Sequence, residues 1–292
     1  MPEEVLRRLN IDGLSYSYRL LPNPRPTTEP VLIVGGVRQG MYGWPQMEHQ
    51  LCPEATVITA DLPGMGASDT LRDEHDSSLL CGAIDQIIDD LHTLGAADRV
   101  NVFGYSYGAA LLFTCTQRRP ERVARLMLGG VPSDFSDAQI AYWQDAADTL
   151  RAGDHEEFVT KATEGMLCMD PRRHVHRRDL AYRYVRRQLL HNIDSVSEIY
   201  RALDERLPLA GGLTGVPTLV FCGEHDTLTS TASQRHFADT ITDSTFVSVP
   251  DADHWVVLER ADVVADLAHH FFTSSQENVL PLAPPVLLPA QR

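Results

Sequence analysis

A chain of 292 residues, 43% of them hydrophobic, carries enough apolar surface to bury a large core, as one domain or as a domain with a sizeable insertion. Its formal net charge of -15 argues against a nucleic-acid partner, because phosphate binding needs a basic surface. No run approaches about 18 uninterrupted apolar residues, and Met1-Pro2-Glu3-Glu4 lacks the basic-then-apolar pattern of a signal peptide, so a soluble, cytoplasmic protein without a membrane partner is expected.

Val5 to Ile11 and Leu14 to Leu21 alternate as two antiparallel strands, joined at the hairpin signal Asp12-Gly13. A proline-rich loop over 22–30 leads to Val31-Leu32-Ile33-Val34, an apolar run that reads as a buried parallel strand and ends in Gly35-Gly36. A short helix from Trp44 to Leu51 and a strand over Thr56 to Ala60 follow, then the turn Asp61-Leu62-Pro63-Gly64-Met65-Gly66-Ala67-Ser68. Leu80, Ile84, Ile87, Ile88 and Leu91 recur at helical spacing between Ser77 and Leu94, and Gly95 closes that helix. Val100 to Phe103 and Val123 to Val131 are further strands. The strand-helix alternation predicts an α/β fold, a mostly parallel sheet with helices on both faces.

The alternation stops near Pro132 and resumes near Val216. The stretch between has helical segments near 136–151, 155–168, 177–190 and 196–207 and no convincing strand. Connections do not thread a core, so these helices must lie on top of the sheet. The expected organisation is a core of residues 1–133 and 216–273, an inserted helical cap over 134–215, and a proline-rich tail over 274–292. The second part of the core predicts the strand 217–223, a helix over 232–241, the strand 245–249 and one closing helix from about Val256 to Phe272. Five scattered cysteines without a CxxC predict neither a disulfide framework nor a zinc site, only small core residues; no metal and no cofactor is called for.

The chemistry centres on Gly104-Tyr105-Ser106-Tyr107-Gly108, between an apolar strand and the apolar start of a helix, Ala109 to Phe113. A serine on so sharp a turn is held clear of the sheet, and glycine two places to either side relieves the crowding. The N–H of Tyr107 opens the helix, where an oxyanion is favoured. A serine hydroxyl needs a base, and the base an orienting carboxylate. Asp226 and His254 follow strands ending at Gly223 and Val249, which puts both at the carboxyl edge that presents Ser106. The alternative is that Asp226 merely caps a loop and that His254 packs beside Trp255.

These four features, Gly35-Gly36-Val37 after a strand, the Asp61 to Ser68 turn, the Ser106 elbow, and Gly223-Glu224-His225-Asp226 with Asp253-His254-Trp255, resemble the α/β-hydrolase superfamily over residues 1 to 273. The resemblance implies Ser106 as nucleophile, His254 as base, Asp226 as the orienting acid, and an oxyanion hole from the N–H groups of Val37 and Tyr107. Gly35 and Met65 stand where that family often has histidine. Asp61 and Ser68 read as loop-fixing groups, His225 as a spectator. Tyr105 and Tyr107 read as packing groups or as pocket lining. Arg38, Tyr105, Trp143 and Trp255 are the candidate substrate-binding residues.

The expected substrate is a hydrophobic ester or thioester, with C–C bond cleavage on the same triad and a non-catalytic binding module as alternatives. A basic cluster in the cap, Arg172, Arg173, His174, His176, Arg177, Arg178, Arg183, Arg186 and Arg187, reverses the sign of this acidic chain. It reads as a solvated face paired with nearby acids, or as a dock for an acyl carrier protein or the phosphates of coenzyme A. The cap pattern Tyr142, Ala146, Leu150, Asp154 and Pro171-Arg172 resembles the bacterial 3-hydroxyacyl transferases of rhamnolipid-precursor synthesis, which implies acyl transfer from a thioester carrier.

Overall fold

In a computed structural model of the chain, residues 3–36, 39–71, 76–191, 209 and 212–274 are described. Eight strands form one sheet: β1 (Val5–Ile11), β2 (Leu14–Leu21), β3 (Val31–Val34), β4 (Val57–Asp61), β5 (Val100–Tyr105), β6 (Val123–Gly129), β7 (Thr218–Gly223) and β8 (Ser244–Val249). Their order is β1-β2-β4-β3-β5-β6-β7-β8. β1 and β2 pair antiparallel, as do β2 and β4, and every later pair is parallel. Asp12 and Gly13 both hold positive φ, 49° and 82°, as a tight two-residue hairpin turn requires.

Successive strand residues point to opposite faces, and here both faces are covered. Leu32, Val34, Val102, Leu126, Leu128 and Val220 pack under α2 (Ser77–Thr93) and α3 (Tyr107–Arg118). Val31, Ile33, Phe103, Met127, Leu219 and Phe221 pack on the other side with α1 (Pro45–Leu51) and the last helix. Burying each such side chain contributes about 1.5–3 kcal/mol, which is why these strands read as unbroken apolar runs.

Between β6 and β7 the described residues hold three helices, α4 (Asp137–Arg151), α5 (His155–Gly165) and α6 (Arg178–His191). Ser136 opens α4 with a reciprocal capping box to Gln139. Trp143, Ala146, Phe158, Val159, Ala162, Ala181, Val185 and Leu189 give these helices an apolar core of their own, which Trp255 joins from the sheet side. The helix expected over 196–207 and the tail after Ser274 lie outside the described residues. After β7 come α7 (Thr231–Asp239), α8 (Val256–Glu259) and α9 (Ala261–Thr273).

Two expectations are corrected. The single closing helix is broken at Arg260, whose φ of -127° and ψ of 46° are not helical. Cys81 on α2 and Cys115 on α3 form a disulfide, with Cα atoms 5.4 Å apart, leaving Cys52, Cys168 and Cys222 free. The two helices pack side by side on one face of the sheet and bring together cysteines 34 residues apart, a proximity that linear spacing does not reveal. No helix among the described residues is long and apolar enough to cross a membrane.

Candidate active site

β5 runs into α3 with Ser106 between them at φ 52° and ψ -120°, a backbone conformation sparsely populated by residues other than glycine. The turn is held by Ser106 N–H donating to Gly129 O (2.7 Å) and by Ala109 N–H donating to Ser106 O (2.9 Å). The flanking glycines are steric requirements. A β-carbon at Gly104 would lie 2.7 Å from Ala109 Cα, and one at Gly108 2.4 Å from Gly35 O.

Three loops at the carboxyl edge of the sheet converge there. The Ser106 hydroxyl lies 3.2 Å from His254 Nε2, and His254 Nδ1 lies 3.0 Å from Asp226 Oδ2. The Asp226 side chain is fully buried and that of His254 is 4% exposed. Asp226 Oδ1 accepts the backbone N–H groups of Leu228 (2.9 Å) and Thr229 (2.7 Å), and Oδ2 accepts the Thr229 hydroxyl (2.7 Å). A carboxylate so furnished is held rigid, and ties the imidazole into the tautomer that leaves Nε2 free to accept from serine. Burial pushes the His254 pKa down, but the charge and hydrogen bond of Asp226, helped by Asp253, more than offset this and leave it raised. Chemically, the line can take a proton from the Ser106 hydroxyl and later return it.

Gly36 lies against the serine: a β-carbon there would stand 3.0 Å from Ser106 Cβ. Gln39 closes the Gly35-Gly36 turn, its Oε1 accepting Gly36 N–H (2.8 Å) and its own N–H donating to Gly36 O (3.0 Å). Val37 and Arg38 lie outside the described residues. Tyr107 is the first residue of α3 and is buried. Asp61 and Ser68 act within their loop: Asp61 Oδ1 accepts Met41 N–H (2.7 Å), and the Ser68 hydroxyl donates to Asp61 O (2.6 Å).

The aromatic candidates Tyr105, Trp143 and Trp255 are all buried. Tyr105 is enclosed in the sheet core, its ring beside Phe221 and His254 and its hydroxyl donating to the carbonyl of His254. It therefore braces the histidine loop instead of lining a pocket, because alternation along β5 turns it to the face it shares with Phe103. Trp143 is buried among α4 and α5, edge-on to Tyr142 and close to Gly165, as part of the helical core. Trp255 belongs to that same core, edge-on to Tyr184, with a buried indole N–H that has no partner among the described residues. His225 lies 4.0 Å from Glu224; with Asp251 they group three possible metal ligands at a partly exposed corner.

Thr229, Gln39 and the Tyr105 hydroxyl are functional candidates that motif reading missed. Asp226-Thr227-Leu228-Thr229 is an Asx-turn pattern that, in retrospect, signals the Asp226 cradle. In the basic cluster, Arg172 and Arg173 pair with Asp170, and Arg186 pairs with Glu156. Arg183, Arg186, Arg187, Leu190 and His191 line a surface hollow of about 410 Å³.

Two curated relatives align with part of the chain. A poly(3-hydroxyalkanoate) depolymerase of Ectopseudomonas oleovorans is 31% identical over 130 residues, 44% of this chain and 44% of that protein. An (E)-2-((N-methylformamido)methylene)succinate hydrolase of Acinetobacter baylyi is 32% identical over 127 residues, 43% of this chain and 46% of the relative. The chain thus matches less than half the length of either. Among solved structures, the enol-lactonase of Burkholderia xenovorans LB400 superposes with a TM-score of 0.73 at 19% identity, over 92% of this chain and all of that one, a likeness of fold. Residues 31–267 match the alpha/beta hydrolase family, and with the strand order and the elbow described above the chain belongs to that family.

Proposed function

We propose that this protein is a serine hydrolase that cleaves a hydrophobic ester or thioester through an acyl-enzyme on Ser106. The observation that carries the reading is the continuous contact from Ser106 Oγ through both nitrogens of His254 to Asp226. In the first step Oγ attacks the substrate carbonyl carbon while its proton passes to His254 Nε2. The oxyanion is held by the N–H of Tyr107, with Val37 as the second donor. The intermediate collapses, the alcohol or thiol leaves with the proton from Nε2, and water then repeats the sequence on the acyl-serine. Asp226 holds the ring and balances its transient charge.

The helices between β6 and β7 act as a cap. They are anchored on the loops that carry the acid and the base: the Gln139 amide donates to the carbonyls of Thr227 (3.1 Å) and Leu228 (3.0 Å), and Cys168 N–H donates to Asp253 (2.8 Å). Their apolar interior, which includes Trp255 next to His254, supports a hydrophobic acyl group. That two aligned relatives are a depolymerase and a hydrolase supports water as acceptor.

Labelling by a fluorophosphonate tests the assignment. Wild type and Ser68→Ala take up the label and Ser106→Ala does not; equal labelling of both variants contradicts it. A second reading, transfer of an acyl group from a carrier protein or coenzyme A, draws on the hollow flanked by the exposed Arg183 and Arg187. It predicts that Arg183→Glu with Arg187→Glu raises KM for carrier-bound or coenzyme A thioesters, in a salt-dependent way, and leaves KM for simple esters unchanged.

A further inference from the structure

Directly behind His254 lies a pair of buried acids that the reaction itself does not use. Asp253 and Glu259 are both fully buried, and among the described residues neither is paired with a lysine or arginine. Asp253 Oδ1 accepts Trp255 N–H (3.0 Å), its Oδ2 accepts Cys168 N–H (2.8 Å), and its own N–H donates to Glu259 Oε2 (2.8 Å). Among the described residues Glu259 Oε1 is buried without a partner of its own. Two buried acids side by side with no cation beside them are too costly to hold as two charges, and Glu259, with one oxygen unpartnered, is the one that keeps a proton.

The pair sits at a mechanical junction. Its backbone donors are the residue after His254 and a residue of the segment that follows α5, so Asp253 stitches the histidine loop to the helical layer. A second stitch, His176 N–H donating to Asp251 O (2.7 Å), lies two residues away. Tyr105 grips the same loop from below through the His254 carbonyl. Two unpaired negative charges in this enclosed place would repel each other and draw in water.

Resting on the serine reading above, we infer that Glu259 is a positioning residue for His254: a proton held on Glu259 lets the loop stay docked on Cys168, and loss of that proton to a solvent base frees the loop and takes the imidazole off Ser106. Burial, with the charge of Asp253, raises the Glu259 pKa to about 9, which sets the range in which this happens. The other groups facing the pair are Asp226, His254, the Tyr105 hydroxyl and, beyond it, Cys222. Burial raises the pKa of Tyr105 well above its ordinary value and that of Cys222 to about 12, so neither ionises in this range.

The test is the rate of fluorophosphonate labelling of Ser106 in the full chain, followed from about pH 6 to about pH 10 in wild type and Glu259→Gln, which copies the protonated acid. The wild-type rate falls about tenfold above the Glu259 transition, while E259Q stays within about threefold of wild type near pH 7.5 and keeps its rate at about pH 10. The same alkaline fall in both proteins, or no fall in wild type, overturns the inference while leaving the serine reading intact. Absence of Ser106 labelling at every pH overturns both. Should E259Q not fold, carboxyl-carbon NMR of the wild type decides: a glutamate titrating above about pH 8 supports the proton on Glu259, and titration of every glutamate below it overturns the inference.

Discussion

Ser106 at φ 52° and ψ -120° places its β-carbon against its own backbone, a strain that glycine escapes. Replacing it with alanine or with glycine removes the hydroxyl, and the 3.2 Å contact to His254, from both variants alike. The difference between the two variants therefore isolates the β-carbon. Strain of this kind costs about 1–3 kcal/mol, and the extra freedom of glycine in the unfolded chain takes back about 0.5–1 kcal/mol. Ser106→Gly is expected to be more stable than Ser106→Ala by about 1 kcal/mol, with no activity in either. A side chain at Gly36 would add to the crowding, since a β-carbon there would stand 3.0 Å from the same Ser106 β-carbon. Urea unfolding followed by tryptophan fluorescence, compared at equal m values, gives the difference directly. An alanine variant as stable as the glycine variant, or more so, would refute the claim that the elbow stores strain.

Thr229→Val removes the hydroxyl bond to Asp226 and keeps both backbone donors. With hydrogen bonds to charged groups worth about 1.5–3 kcal/mol, partly felt in the transition state, kcat/KM should drop about tenfold; an unchanged value contradicts the cradle. Because His254 must be neutral to act as base and its pKa is raised, kcat/KM should climb with pH through a value above about 6.5, and Asp226→Asn should lower that value. The sign for stability is opposite: the charged His254–Asp226 pair stabilises the fold at low pH, and that contribution is lost as pH rises through the raised pKa. Alkylation of the denatured, unreduced chain should modify Cys52, Cys168 and Cys222 and spare Cys81 and Cys115; modification of all five cysteines contradicts the disulfide.

The sheet was legible because burial on both faces writes strands such as Val31–Val34 and Thr218–Gly223 as unbroken apolar runs. The convergence of Ser106, His254 and Asp226 was legible because strand ends fix which side chains share an edge. The break at Arg260 was not, since no glycine or proline marks it; it lies beside Glu259, whose side chain turns back to Asp253. The disulfide depends on how α2 and α3 pack, which local spacing does not encode. Of the two readings of Tyr105, packing and pocket lining, period-two alternation from Phe103 favours packing, on the face the two residues share. Thr229 and Glu259 escaped notice because each acts through a neighbour, and no motif names a residue whose work is to hold another in place.

Intact-mass measurement after exposure to a panel of thioesters and p-nitrophenyl esters, with wild type beside Ser106→Ala, asks whether Ser106 carries the acyl group. A serine acyl-enzyme gives one acyl adduct, or turnover, that depends on Ser106. An adduct or turnover undiminished in Ser106→Ala, or none in wild type across the panel, would contradict it.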